Sequence, residues 1–67
     1  MAVSYKKLWV LLAEKEIRKI DMKEKSGISS NTLAKLGKNE NVSMDALQKI
    51  CKALECNIGD IVDYVPD

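Results

Sequence analysis

Between Gly27 and Lys38 the chain sets out Ser29, Ser30, Asn31, Thr32 and Lys35, short polar side chains with a single cation among them. These types suit hydrogen bonding to the base edges of a nucleic acid. Asparagine pairs bidentately with adenine, lysine donates to guanine, and serine or threonine reaches several edges. Bond-making chemistry is poorly served by comparison. There is no histidine, the commonest general base and neutral metal ligand. Two cysteines, Cys51 and Cys56, are too few for a four-thiolate zinc site or a multi-bridge disulfide scaffold. The chain has no glycine-rich phosphate loop and no activated-nucleophile arrangement. Its 67 residues leave no room for a walled pocket beside a core. Neither catalysis nor a cofactor, metal or small-molecule ligand is expected.

A helix must display the polar group, and the residues around it supply one. Ser29 is a strong N-cap, Ile28, Leu33 and Leu36 form the inward set, and Gly37 is placed as a left-handed stop. Ahead of it Ile20 to Ser26 reads as a short helix with Ile17, Ile20 and Met22 as apolar positions, and Gly27 supplies the turn. Lys19 to Leu36 is thus a helix-turn-helix. An earlier helix opens near Ser4 as N-cap, gathers Tyr5, Leu8, Trp9 and Leu12 on one face, and ends across Glu14-Lys15-Glu16. After the polar loop Lys38-Asn39-Glu40-Asn41, Ser43 caps a fourth helix carrying Leu47, Ile50, Cys51 and Leu54 inward. Asn57 caps a last helical turn, Ile58 to Val62.

Trp9 and Cys51 read as core residues, and Cys56, near a helix end, as the candidate reactive thiol. Asp60, Asp63 and Asp67 read as solvated surface. Val10 and the Tyr64-Val65 tail are surplus to one core. The tail either pairs with Ala2-Val3 as a two-stranded patch or meets a partner chain.

The run Met22-Lys23-Glu24-Lys25-Ser26-Gly27-Ile28-Ser29-Ser30-Asn31-Thr32-Leu33-Ala34-Lys35-Leu36 resembles the Cro/cI-type helix-turn-helix repressors, also called the XRE family. Val42 to Leu54 and Asn57-Ile58-Gly59-Asp60-Ile61 carry the resemblance through most of the chain, which is most similar to the short single-domain members. The resemblance implies an all-α, five-helix lambda-repressor-like domain over residues 1–67, with short extended N- and C-terminal segments. It implies a third helix, about residues 30–36, that enters the DNA major groove, commonly as a homodimer on a two-fold site. Carried over by position, Ser30, Asn31 and Lys35 read bases, and Lys19, Thr32, Lys38 and Asn39 hold phosphates. The chain departs from the family pattern at Lys23, where a small residue is usual. It departs again at Arg18-Lys19, where a hydroxyl cap and glutamine are usual, and at Gly37-Lys38-Asn39, in place of Glu-Arg-Gly.

The formal net charge of +1 conceals a polarity. Met1 to Lys38 holds nine basic and four acidic residues (+5), whereas Asn39 to Asp67 holds two lysines and six acids (−4). The helix-turn-helix lies in the basic half, which favours one docking orientation on a phosphate backbone. The expected function is a sequence-specific, double-stranded DNA-binding transcriptional regulator that represses by occupying its operator. The other reading is a protein-interaction module on the same fold, antitoxin-like or an adaptor, with weak or no DNA binding. The outward face of the third helix, polar with Lys35 and without an acid, separates the two. No apolar run approaches the roughly 20 residues of a membrane span, and no secretory leader is evident, so a cytoplasmic location is expected.

Overall fold

In the computed structural model, which describes residues 2–66, seven elements follow one another. They are β1 (Ala2–Ser4), α1 (Lys6–Glu14), α2 (Lys19–Ser26), α3 (Ser30–Gly37), α4 (Met44–Leu54), a 3-10 turn (Ile58–Asp60) and β2 (Asp63–Val65). The fold is therefore mostly helical with a small sheet, and the expected all-α arrangement of five helices is corrected to four α-helices. The fifth stops after three residues. The Asn57 N–H donates to the Asp60 carboxylate at 3.0 Å, and Ile61 leaves the helical region at φ −125°. A continued helix would consume the residues that the sheet takes.

That sheet resolves the choice left open for the tail. β1 and β2 run antiparallel with Ala2 opposite Val65, Val3 opposite Tyr64 and Ser4 opposite Asp63. The Lys7 ammonium fastens it from α1, reaching the Asp63 carboxylate at 3.1 Å and the Gly59 carbonyl at 3.3 Å. Because Ser4 belongs to β1, the N-cap position of α1 falls to Tyr5, which makes no side-chain cap. The Ser4 hydroxyl still accepts from the Lys6 N–H at 3.4 Å.

All four α-helices are followed by a left-handed residue, and three of these are not glycine. Gly27 (φ 79°) ends α2, with its N–H donating to the Lys23 carbonyl at 2.9 Å. Glu16, Asn39 and Glu55 follow α1, α3 and α4 at φ 56°, 55° and 54°. After α3 the Glu40 N–H bonds the Lys35 carbonyl (2.9 Å) and the Asn39 N–H bonds the Leu36 carbonyl (3.2 Å). This pair of bonds is the Schellman closure, which satisfies the last carbonyls of a helix. Gly37, expected to be the left-handed stop, is instead the last helical residue of α3. Asparagine is among the few residues besides glycine that enter this region readily, and here its side chain is held by the Tyr5 N–H.

The core draws one fully buried side chain or more from every helix: Tyr5 and Leu8, Met22, Leu36 and Ile50, with Ile61 closing it from beyond the 3-10 turn. Each such aliphatic side chain contributes about 1.5–3 kcal/mol relative to exposure. α2 packs chiefly against α4, and α1 against the 3-10 turn. Ile20, one of the apolar positions of α2, is 45% exposed. It stands two residues from Met22, which on a helix is the opposite side. Trp9 and Cys51 lie half-buried against the core rather than within it. Asp60 and Asp63 are exposed as expected, and Asp67 lies outside the described residues.

Candidate nucleic-acid interface

The helix-turn-helix is built locally before it is held globally. Gly27 turns the chain through a left-handed conformation that a Cβ would strain. Ile28, only 6% exposed, pins the turn to the core. Ser29 then opens α3: its Oγ accepts the Thr32 N–H at 3.1 Å, and the two hydroxyls lie 3.0 Å apart. Such a cap contributes about 1 kcal/mol.

With Leu36 buried and Leu33 half-buried beneath, the opposite face of α3 is left to solvent. Ser30, Asn31, Ala34 and Lys35 are all exposed there, and no acid interrupts them. Asn31 and Lys35 are one helical turn apart, so they stand on one face. Ala34 carries no signal in the sequence, where a small apolar residue inside a helix is ordinary. Exposed beside Asn31, it has the size and polarity of side chains that meet the thymine methyl group.

The expected phosphate-binding residues are more dispersed. Lys38 is the exposed C-cap of α3. Thr32 is half-buried, with its hydroxyl beside Ser29. Asn39 is turned back on the fold, since its Oδ1 accepts the Tyr5 N–H at 3.1 Å and its amide NH2 group remains for other partners. The Tyr5 phenol adds a second tie across this junction, donating to the Glu40 carbonyl at 2.7 Å. Burial raises the phenol's pKa, and a backbone hydrogen bond at Val42 pulls it partly back. The loop behind α3 is thus clamped to the start of α1, which periodicity alone does not reveal.

At the other end of the motif Lys19 begins α2, and its ammonium lies over the Trp9 ring. Arg18, the residue before it, is committed elsewhere: Nε and Nη2 donate to the Asp21 carboxylate at 3.0 and 3.3 Å. The guanidinium hydrogen bond holds the Asp21 carboxyl below its ordinary range. Lys23 is half-buried on α2.

Cys56 does not have the environment of a reactive thiol. Burial, the neighbouring Cys51 and the Asp60 carboxylate push it up to about 11, so at neutral pH it carries its proton and is a poor nucleophile. No helix among the described residues is long and apolar enough to cross a membrane.

Comparison with known proteins agrees with this fold. Residues 7–67 match the model of the Cro/C1-type HTH DNA-binding domain. The chain is 38% identical over 60 residues to the uncharacterized HTH-type transcriptional regulator YozG of Bacillus subtilis (strain 168), covering 87% of this chain and 71% of that protein. Its structure is similar to the crystal structure of the transcriptional regulator VanUg, with a TM-score of 0.94 and 48% identity over 98% of this chain and 88% of that one.

Proposed function

The chain belongs to the Cro/C1-type helix-turn-helix DNA-binding domain family, and from that premise we propose that it is a sequence-specific repressor of transcription that inserts α3 into the major groove of double-stranded DNA. One observation carries the reading: Ser30, Asn31 and Lys35 share an exposed, acid-free face of a helix that Gly27 and Ser29 set at the end of a tight turn. Asn31 is the base reader best suited to adenine, Lys35 to guanine, and Ser30 to either. Lys19 and Lys38 bring cations to the backbone on either side. Thr32 and the free amide of Asn39 supply neutral donors there.

A single copy offers few base contacts. The protein therefore acts as a homodimer on two half-sites about one helical turn, roughly 34 Å, apart. The acidic C-terminal half keeps total charge low. That limits non-specific phosphate binding and leaves discrimination to α3.

Selection of bound sequences from random duplexes at a fixed salt concentration tests this directly. The expected outcome is a two-fold-symmetric motif. Enrichment of no sequence would overturn it in favour of a protein-interaction module.

A further inference from the structure

One face of α1 is left uncovered, and its charges are arranged to match themselves. Lys6, Lys7, Val10, Ala13 and Glu14 are all exposed. At 3.6 residues per turn they occupy a band about 120° wide centred on Val10. Val10 itself is 48% exposed, a branched apolar side chain in the middle of a charged strip. Four residues before it stands Lys6, and four after it stands Glu14, so opposite charges flank the apolar centre about 6 Å away on each side. Among the described residues the ion pair on this face is Lys7–Asp63, and neither Lys6 nor Glu14 takes part in one. Beside the strip an open groove of about 490 Å³ continues the apolar surface through Leu11 to Val65, which is 44% exposed.

We infer that this face is where a second copy of the chain docks, with the two α1 helices packed antiparallel across a two-fold axis at Val10. With the helices crossed at about −50°, so that their i, i+4 rows run alongside each other, rotation about that axis sets Val10 beside Val10 and Lys6 beside Glu14 of the second copy. Both ends of the contact are then attractive, as a self-complementary interface requires. The small Ala13 side chain lets the helix axes approach. In a parallel arrangement lysine would meet lysine and glutamate would meet glutamate, so the charges also select the orientation. A nine-residue helix is only about 13 Å long. Such a contact, even extended to Val65, falls short of the roughly 800 Å² per partner of a stable complex. The dimer is therefore weak in free solution and completes itself at high concentration or on adjacent half-sites. This gives a surface to the homodimer of the proposed function, and its test contains no DNA.

Sedimentation equilibrium on the full chain, with far-ultraviolet circular dichroism to confirm folding, reads the outcome. Wild type should self-associate reversibly. K6E and E14K each replace two attractions by two repulsions and should weaken self-association roughly tenfold or more, about 1.4 kcal/mol. The decisive sample is their equimolar mixture. In K6E both charges four residues from Val10 are acidic and in E14K both are basic, so the mixed dimer regains both attractions and should associate at least as well as wild type. A wild type that stays monomeric at the highest soluble concentration would overturn the inference. So would single variants that associate like wild type, or a mixture no better than its components. Failure to bind any duplex, with association intact, would strike the DNA reading and leave this one standing.

Discussion

The Lys19 ammonium lies 4.5 Å from the centroid of the Trp9 ring, joining the first residue of α2 to the flank of α1. At a partly exposed site such a cation–π contact contributes about 0.5–1 kcal/mol. Trp9 is the only tryptophan in the chain, so its emission reports on this one contact. A phosphate that draws Lys19 away changes the field over the ring. Tryptophan emission should therefore shift saturably on titration with a selected duplex, and Lys19→Ala should abolish the shift while weakening binding only in part. Unchanged emission in wild type, or the same shift in the variant, would remove Lys19 from the phosphate contacts.

Asn31 and Lys38 should separate the two kinds of DNA contact. Asn31→Ala is expected to cost about 1–3 kcal/mol on the best site and to blur preference at one position. Lys38→Ala should weaken all sequences alike and reduce the salt slope by about one unit. Binding isotherms on matched and scrambled duplexes at several salt concentrations distinguish these patterns. Indifference to both substitutions would contradict the proposed interface.

The left-handed helix ends should respond in opposite directions. Glu55 adopts φ 54° without the freedom of glycine. Glu55→Gly should therefore stabilise the fold by about 0.5–1 kcal/mol, the strain relieved outweighing the chain entropy added. Asn39→Ala loses both the left-handed preference and the acceptor for the Tyr5 N–H, and should destabilise by about 1–2 kcal/mol. Urea unfolding reads both signs, and equal effects from the two changes would refute the argument.

Tyr5 links the fold to alkaline pH. Its buried phenol donates to Glu40 and has a raised pKa, so the folded state holds the proton more tightly than the unfolded chain. That contribution is fully present below the unfolded value of about 10 and is lost as pH rises through the folded value. Tyr5→Phe should be less stable than wild type by about 1 kcal/mol near neutrality, and the gap should narrow in strong alkali. A constant gap across that range would show that the phenol does not titrate with unfolding.

Some of this was readable along the chain because it depends on near neighbours. Ser29 and Ser43 cap the helices that follow them, as hydroxyls ahead of an apolar helical period do, and Gly27 turns where only a glycine is unstrained. The end of α2 at Gly27, the start of α3, its polar face and the register of α4 follow from the same local rules. Asn39 shows the limit of such reading. Propensity favours Gly37 as the stop of α3, yet the left-handed residue is Asn39, two positions on. The chain uses asparagine because its carboxamide also caps Tyr5, 34 residues away.

What the tertiary structure decided are the contacts between segments distant in sequence. The tail pairs with the first strand in a three-residue ladder with Ala2–Ser4, fastened by the Lys7–Asp63 ion pair, contacts between the two ends of the described chain. Trp9 lies half-buried under Lys19 rather than in the core, and Ile20 faces solvent, because α2 has a single inward position at Met22. Sequence alone determined where α3 and α4 start and which polar side chains α3 displays, since caps and periodicity act over three or four residues. The surplus apolar side chains Val10, Tyr64 and Val65 were legible too and are exposed, but that Ile20 joins them, and where each lies on the surface, depends on how the helices pack, of which local patterning carries no record.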